Sequence, residues 1–431
     1  MSTTSIKIPI LARVEGEGAL NLEIKDNRIE KLQLRIYESP RLFEKFLEGR
    51  GYEELLDLVA RICGICPVAY QMSAAHAVES LFGVNPGPWV REMRRLFYCG
   101  EWLESHNLHI HFLAAPDFFG YSSALAMAKD YPEVIKRGMR LQGLGNSIMR
   151  LLGARSVHPV GACIGGFFRA PTYKEVVTLL NSLREGLQDA EALIRWAATL
   201  PLPKSASQQD FICVALQHPL EYPMNEGNIT SDKGLNITAA EFEQYFQEYQ
   251  VPYSTALQCT LQGKDYLVGP LARVNLNYHH LPENIKGIIK ETGIHFPSKN
   301  MYHSIVARAI EVCYGIMEAI RILESYQLPA QSFIHVQPKA GIGFSCTEAP
   351  RGILWHRYEI TEAGMIKSAD IVSPTSQNQY RIEEDLRLSL EHDGLNRSDD
   401  ILRLQSEMII RNYDPCISCS THFLDLRVNR L

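Results

Sequence analysis

Two short stretches of sequence constrain the fold: RICGICPVAYQ at residues 61–71 and DPCISCSTH at residues 414–422. Each contains one Cys-x-x-Cys pair, Cys63 with Cys66 and Cys416 with Cys419. A Cys-x-x-Cys turn directs both sulfurs into one small volume. Two such turns facing each other therefore place four thiolates around one soft metal ion. The sequence thus predicts a thiolate metal site to which both ends of the chain contribute.

The cysteines alone leave the identity of that metal open. Four thiolates favour zinc, but an iron–sulfur cluster or a redox metal such as nickel uses the same ligands. The long separation of the two pairs disfavours a local zinc-ribbon module, and no βαβ pattern supports a thioredoxin-like dithiol. Pro67 suits the first position of a helix, whose positive end favours a thiolate at Cys66.

Composition and charge narrow the class of protein. The chain has 431 residues, 46% of them hydrophobic, and a formal net charge of -6, which gives no reason to expect nucleic-acid binding. No apolar run is long enough for a membrane span, and the first residues do not resemble a secretory signal. The ten cysteines are too few for a disulfide scaffold in so long a chain. These features predict a cytoplasmic protein without a membrane span.

The periodicity of apolar residues predicts a mainly helical chain with a β-rich start. A β-hairpin is expected around the turn Asp26-Asn27, where alternating apolar residues occur on both sides at Leu20, Leu22, Ile24, Leu32, Leu34 and Ile36. Helical spacing begins near residue 52, and a further helix beginning at Pro67 is expected to end near Gly83. Long helices are also expected over 92–114, 172–198, 303–326 and about 396–411.

We therefore expect a mainly α protein with α+β additions: a central bundle of long helices, an N-terminal β-hairpin region and small peripheral strands. A single domain of residues 1–431 is expected, with a β-rich region over 1–50 and a helical core over 51–422. Within that core, the polar section of about 218–300 is expected to form loops and short strands with little helix.

Beyond the cysteine pairs, six blocks identify a family. They are RVEGEG (13–18), ESPRLFEKFLEGR (38–50), GARSVHPVGACIGG (153–166), YLVGPLARVN (266–275), EAPRG (348–352) and SPTSQN (373–378). Together with R-x-C-G-x-C-P and D-P-C-x-x-C-x-x-H, this ordered set resembles the large, catalytic subunit of nickel–iron hydrogenases over nearly the whole chain. Many members have a histidine where this chain has Tyr70, and the form CPVAYQM is similar to the soluble, cofactor-coupled branch.

The resemblance implies a nickel–iron centre whose iron carries carbon monoxide and cyanide. It implies that Cys63 and Cys416 bind nickel alone, while Cys66 and Cys419 bridge nickel and iron. Such a centre keeps a net negative charge when buried, and an uncompensated buried charge is costly. Arg351 is the cation expected by family position, and Thr375 is expected to donate a hydrogen bond to a cyanide.

The resemblance also implies the residues that handle protons. Splitting dihydrogen requires a base, and the Cys416 thiolate is preferred to Arg351 because a guanidinium is effectively always protonated. Glu15 matches the glutamate that passes the proton onward from this cysteine. Asp117 and Asp414 match acidic residues around the site and are expected to pair with Arg351.

Further residues match a second metal site and a processing site. Glu44 and His422 match the ligands of a magnesium ion. Residues 423–431 follow His422 at the place where a maturation protease removes the tail of family precursors, so they are expected to be cleaved.

Electron transfer implies partners, because no further cysteine cluster for iron–sulfur ligation and no G-x-G-x-x-G motif is visible. The resemblance implies an iron–sulfur small subunit and, beyond it, flavin- or NAD(P)-linked subunits. Two alternatives remain: a metal-free structural subunit, like the related subunit of respiratory NADH dehydrogenase, and a zinc-stabilised scaffold. Retention of all four cysteines argues against the metal-free alternative.

Overall fold

The computed structural model describes residues 3–203 and 210–421. Its helices, in chain order, are α1 (Phe43–Leu47), α2 (Leu55–Val59), α3 (Pro67–Phe82), α4 (Pro88–Asn107), α5 (Ala115–Phe119), α6 (Ala124–Met127), α7 (Pro132–Gly153), α8 (Tyr173–Ala198), α9 (Phe242–Tyr245), α10 (Pro270–Asn277), α11 (Glu283–Thr292), α12 (Ser304–Glu324), α13 (Pro374–Asp393), α14 (Asp399–Asn412) and α15 (Ile417–Ser420). A π-helical segment, Leu108–Ala114, continues α4.

The strands are short and form small antiparallel sheets. They are β1 (Thr3–Ile8), β2 (Gly18–Lys25), β3 (Arg28–Ile36), β4 (Ala162–Cys163), β5 (Gly166–Phe167), β6 (Val214–Gln217), β7 (Asn228–Ser231), β8 (Asn236–Ile237), β9 (Phe246–Gln250), β10 (Leu257–Leu261), β11 (Gly341–Ala349), β12 (Gly352–Ile360) and β13 (Ile366–Val372). The mainly α architecture with small sheets, expected from the sequence, is confirmed.

The predicted hairpin is present as β2 and β3. Leu20 pairs with Leu34 and Leu22 with Leu32, so the apolar residues share one buried face. Asp26 and Asn27 form the connecting turn with φ of 49° and 61°, a conformation that Asn and Asp tolerate better than most residues. β1 adds a third strand on the far side of β2.

The central bundle is built on α4, which packs against α7 and α12, while α12 also packs against α8. Two glycines allow α4 and α7 to approach closely. A Cβ atom at Gly145 would stand 2.6 Å from the carbonyl oxygen of Gly100, and one at Gly100 would stand 2.9 Å from a carbon of Ile148. The backbones therefore meet where only glycine leaves room.

Helix α3 carries the first cysteine pair into this core. Pro67 occupies its first position, and Gly83, at φ 69°, ends it in the left-handed conformation. Nearly all of its side chains are buried, so it lies inside the molecule instead of on the surface.

Helices α7 and α13 were not predicted from the sequence. The buried side chains of the 20-residue α13 are largely polar and lack an apolar period. Ser373 nevertheless caps it by accepting a hydrogen bond from the backbone N–H of Ser376 at 3.2 Å, with Pro374 next in sequence. The section 218–300 contains α10 and α11 besides its strands.

Among the described residues, no helix combines the length and the apolar character needed to cross a membrane.

Candidate metal centre

The four paired cysteines meet inside the protein. Their sulfurs all lie within 4.8 Å of one another. The sulfurs are 2.7 Å apart within the Cys63–Cys66 pair and 2.8 Å apart within the Cys416–Cys419 pair. Across the pairs, Cys63 lies 3.4 Å from Cys416 and Cys66 lies 3.5 Å from Cys419. All four are free thiols with at most 3% exposure, so the site is closed to bulk water.

The first pair is held at the start of α3. The chain leaves a 3-10 turn at Ile62, and Cys66 directly precedes Pro67. The backbone N–H groups of Ile65 and Cys66 donate to the Cys63 sulfur at 3.3 Å and 3.1 Å. These donors favour a thiolate at this position.

The second pair is held by contacts from distant parts of the chain. The backbone N–H of Cys416 donates to the Thr375 hydroxyl oxygen at 3.0 Å. Residues 15 and 416 also form a short parallel β-bridge, in which the Ile417 N–H donates to the Glu15 carbonyl at 3.0 Å. Gly16, at φ 89°, permits this contact, because a Cβ there would stand 2.6 Å from the Cβ of Ile417.

Burial disfavours the charged form of all four thiols. At Cys63, hydrogen bonds from the other three sulfurs outweigh burial and hold its pKa well below the usual value. Burial raises the pKa of Cys66, Cys416 and Cys419. Because their negative charges repel one another, the four sulfurs need a cation among them before all can ionise.

Arg351 supplies a fixed positive charge beside the sulfurs. Its Nε donates to the Asp414 carbonyl at 2.7 Å, and its Nη2 donates to the Asp414 carboxylate at 3.1 Å. Burial opposes its charge, but Asp414 and the nearby sulfurs hold its pKa well above the usual value. Its Nη1 is buried and has no hydrogen-bond partner among the described residues. This unused donor is available to a ligand.

Glu15 lies against the second pair through its side chain as well as its backbone. Its carboxylate accepts hydrogen bonds from the Ser418 N–H at 3.0 Å and from the Ser418 hydroxyl. Burial and the charge of Cys63 raise its pKa, against the lowering effect of hydrogen bonds with Ser418 and Cys416. The Ser418 hydroxyl also lies 2.7 Å from the Glu38 carboxylate. Its single hydrogen therefore satisfies both carboxyl groups only when one of them is protonated.

The remaining predicted residues have differing surroundings. Thr375 is buried, and because its oxygen accepts from Cys416, its hydroxyl hydrogen remains available as a donor. Asp414 pairs with Arg351 as expected. Asp117 does not pair with Arg351: its carboxylate binds Arg13 and Arg411, the latter at 2.7 Å and 2.9 Å. Asp117 follows the π-helical segment, which packs against α14. The Leu113 carbonyl of that segment also accepts a hydrogen bond from Arg13. Arg13 and Arg411 are therefore the arginines beside Asp117.

The structure describes one of the two predicted magnesium ligands. Glu44 belongs to α1, and its Oε1 accepts a hydrogen bond from the backbone N–H of Ile371 in β13 at 2.7 Å. His422 and the predicted tail of residues 423–431 lie outside the described residues.

Two groups near the sulfurs were not assigned from the sequence. Tyr70 is fully buried beside Cys419, and burial with the adjacent sulfurs raises its pKa well above the usual value. Its position one turn into α3 was the available signal. Glu101 of α4 accepts hydrogen bonds from the Val68 and Ala69 N–H groups at 2.6 Å and 3.2 Å. Nothing in the local sequence indicated this contact between two helices.

The donor set suits a soft transition metal. Four reduced, buried sulfurs converge, and both an unused arginine donor and a threonine hydroxyl hydrogen are available to polar ligands of that metal.

Comparison with known proteins gives consistent matches over the chain. The family model described as nickel-dependent hydrogenase matches residues 41–141 and 224–422. The chain is 32% identical to sulfhydrogenase 1 subunit alpha of Pyrococcus furiosus, with 98% of each chain covered. It is 27% identical to NAD-reducing hydrogenase HoxS subunit beta of Cupriavidus necator, over 96% of this chain and 94% of the relative.

Solved structures show the same fold. A NAD+-reducing [NiFe]-hydrogenase in the H2-reduced state aligns with a TM-score of 0.87 and 25% identity, covering 98% of this chain and 100% of the other. A Ni-Fe-Se hydrogenase from Desulfovibrio vulgaris Hildenborough aligns with a TM-score of 0.82 at 21% identity, over 98% of this chain and 100% of the other.

Proposed function

The chain belongs to the nickel-dependent hydrogenase family as its large, catalytic subunit for dihydrogen oxidation, and from that premise we propose how its residues carry out the reaction. The resemblance drawn from the sequence is thereby confirmed. The observation that carries the assignment of roles is the closed group of four reduced sulfurs beside one buried arginine.

Cys63, Cys66, Cys416 and Cys419 would hold the nickel–iron centre, Cys63 and Cys416 as ligands of nickel alone and Cys66 and Cys419 as ligands shared with iron. When bound, the centre, with carbon monoxide and cyanide on its iron, would supply the splitting of dihydrogen and take up the electrons. The protein contributes a dry, shaped enclosure, because each of the four sulfurs is buried. Arg351 would compensate the negative charge of the centre, and its unused Nη1 and the Thr375 hydroxyl would be the donors for polar ligands.

The proton released from dihydrogen is taken up by the Cys416 sulfur and passed to Glu15. Two features of Glu15 support the order Cys416, then Glu15. Glu15 hydrogen bonds with Cys416, and the raised pKa of Glu15 makes proton uptake easier than for an ordinary carboxylate. Ser418 lies between Glu15 and Glu38 and relays the proton by accepting one hydrogen and donating its own. Arg351 orients and polarises the site and is not the base, because its pKa is held even higher than usual.

Asp414 has a positioning role in this scheme, since it fixes the Arg351 guanidinium through two hydrogen bonds. Asp117 acts indirectly, through two other arginines. It binds Arg13 and Arg411 and so holds the N-terminal loop that carries Glu15 against the end of α14.

Electrons are transferred to partner subunits. We propose that these are an iron–sulfur small subunit and a flavin- or NAD(P)-linked module, and the NAD-reducing relatives support this proposal. A magnesium ion at Glu44 and His422, removal of residues 423–431 by a maturation protease, and the cytoplasmic location also remain predictions. Mass spectrometry of the active protein tests the cleavage: a chain ending at Leu431 in fully active protein would contradict it.

The function is tested by metal analysis and infrared spectroscopy of the purified protein. We expect nickel and iron in equal amounts, infrared bands of iron-bound carbonyl and cyanide, and hydrogen-dependent dye reduction. The matched variants are Cys416→Ser, which removes a ligand, and Cys313→Ser, an equally buried thiol in α12 outside the cluster.

We expect Cys416→Ser to lose nickel and activity while Cys313→Ser keeps both. Zinc alone in active wild-type protein would identify the zinc scaffold instead. Absence of any metal from correctly processed protein would identify a structural subunit.

A further inference from the structure

Helix α4 carries a second pair of acidic groups from the metal centre towards its seam with α7. Glu101 is completely buried, and its carboxylate lies at the first turn of α3, immediately after Cys66. It is close enough to Cys63 for their charges to interact. Glu104 follows three positions later, so the two side chains lie on one face of α4.

Glu104 reaches the seam between α4 and α7. Its Oε1 accepts a hydrogen bond from the Gln142 side chain of α7 at 3.2 Å. Its Oε2 is buried and has no hydrogen-bond partner among the described residues. Both Glu104 and Gln142 are partly exposed. A buried carboxylate oxygen without a protein partner beside a surface seam is a place for a bound water.

The seam is narrow because glycines line it. A Cβ at Gly145 would stand 2.6 Å from the backbone nitrogen of Glu104 and from the carbonyl of Gly100. This close approach of the backbones places Gln142 beside Glu104 at the seam. The route from Glu104 to solvent is therefore short, and it does not pass Glu15.

Charged groups from several parts of the chain act on Glu104. Burial raises its pKa to about 7, Gln142 and Arg351 lower it, and Cys63 and Asp414 raise it. Glu101 on the same helix also interacts with it. Acidic groups of α3 and α12 that face α4 have other partners: Glu79 binds Arg94, Glu311 binds His106, and Glu318 binds Arg95. Glu104 thus stands as a carboxyl that changes charge within the physiological pH range.

On the premise of the proposed hydrogenase function, we propose that Glu101 and Glu104 form a second proton route, from the sulfur cluster to solvent through the α4–α7 seam. Burial holds the pKa of the Glu101 carboxyl well above its usual value, so this group is neutral at rest. It takes up a proton released in the reaction on one oxygen as it releases its own proton from the other, and the released proton passes through water to the Glu104 carboxylate. It leaves from Glu104 to solvent water beside Gln142. After each proton has left, Glu101 is neutral and Glu104 is charged again, and no other bond has formed or broken. Electrons take no part in this route.

The test uses the metal-loaded enzyme and the variant Glu104→Gln, with Glu383→Gln as the matched control. Glu383 is also a buried glutamate with a raised pKa, but it binds the Leu34 N–H and Tyr253. In wild-type enzyme we expect a carbonyl band of a protonated carboxylic acid in infrared difference spectra, titrating near pH 7. This band is lost in Glu104→Gln and retained in Glu383→Gln.

Kinetics provide the second readout. We expect hydrogen oxidation by Glu104→Gln to fall by less than about twofold, because Glu15 carries most of the protons. In the Glu15→Gln background only the second route remains, and adding Glu104→Gln there removes the residual rate and its inflection near pH 7, whereas adding Glu104→Asp leaves part of the rate. Gln142→Leu, which keeps the carboxyl and removes one hydrogen bond to its charged form, is expected to move the infrared midpoint upward.

The outcomes separate the two proposals. Wild-type protein without nickel or hydrogen oxidation would contradict the hydrogenase function. Active wild-type enzyme in which Glu104→Gln leaves the infrared band unchanged, or leaves the residual rate of Glu15→Gln unchanged, would overturn the second route alone. If Glu104→Gln does not yield folded protein, an unchanged infrared midpoint in Gln142→Leu overturns the second proton route instead.

Discussion

Arg351 is buried in the interior, where a lone cation is costly, yet Asp414 and the sulfurs surround it. The guanidinium uses two nitrogens to bind Asp414, and the third is buried without a hydrogen-bond partner among the described residues. A lysine carries the same charge but not this fixed fork of donors. The geometry of the side chain, as well as its charge, therefore matters at this position.

For Arg351→Lys we predict retained nickel and iron, with hydrogen oxidation lowered by roughly 100-fold, similar to the loss of one preorganised donor at a reaction site. Metal analysis and dye-coupled assays measure both quantities. Arg357→Lys, at a half-buried arginine of β12 that pairs with Asp370, is the control and should remain active. A fully active Arg351→Lys enzyme would show that only the charge is required.

Glu15→Gln is predicted to keep both metals and the fold, because an amide still accepts from Ser418. Hydrogen oxidation should fall by about 10²–10⁴-fold, because the amide cannot carry the proton. The neighbouring Glu17→Gln is the matched control, since Glu17 is exposed and should tolerate the change. Equal losses in both variants would refute the assignment of the first proton acceptor to Glu15.

At the scale of one element, the π-helical segment Leu108–Ala114 places two histidines in the core. The Nε2–H of His109 donates to the Arg411 carbonyl at 2.7 Å, and His111 stacks on Trp196. Burial, together with Arg137, lowers the pKa of His111 to about 3. The segment is therefore built around neutral imidazoles.

This predicts an acid-sensitive contribution to stability. His111 is neutral when folded but protonates near pH 6.5 when unfolded, so its stabilising contribution is complete above pH 6.5 and decreases as pH falls towards 3. The loss is about 1.4 kcal/mol per pH unit within that window. In His111→Gln the dependence of unfolding free energy on pH between 6.5 and 4 should be correspondingly weaker, as measured by urea titrations. An unchanged slope would contradict the proposed neutral state.

At the scale of the whole molecule, the metal centre joins the two ends of the chain. One pair of ligands precedes α3 and the other flanks α15, with Glu15 bridged to Cys416 beside them. A centre that binds only when these segments meet stabilises the folded state by mass action.

Loaded wild-type protein should therefore melt at a higher temperature than Cys419→Ser, by roughly 5–10 °C if several kcal/mol of binding energy are linked to folding. Calorimetry of both proteins measures the difference. Cys313→Ser, which keeps the centre, should lie closer to wild type. Similar melting temperatures for loaded wild type and Cys419→Ser would show that the centre adds no stability.

The sequence predicted α3, α4, α8, α12, α14 and the first hairpin, because the periodicity of apolar residues and the turn residues are local signals. It did not predict α7 or α13, and in α13 buried polar residues replace the apolar stripe. It expected little helix in the polar section where α10 and α11 lie. It placed Asp117 beside Arg351, whereas Arg13 and Arg411 bind it. Pairing among several buried charges depends on distances that no local pattern contains.

By itself, the sequence determined the ligand chemistry, since two Cys-x-x-Cys pairs supply four soft donors wherever the chain places them. It also determined the family, through blocks whose order was readable without coordinates. Only the tertiary structure decided that the Ile417 N–H donates to the Glu15 carbonyl, that Ser418 joins Glu15 to Glu38, and that Glu101 reaches the first turn of α3. Hydrogen bonds between residues hundreds of positions apart depend on packed helices and glycine contacts, so the proton routes emerge only after the chain has folded.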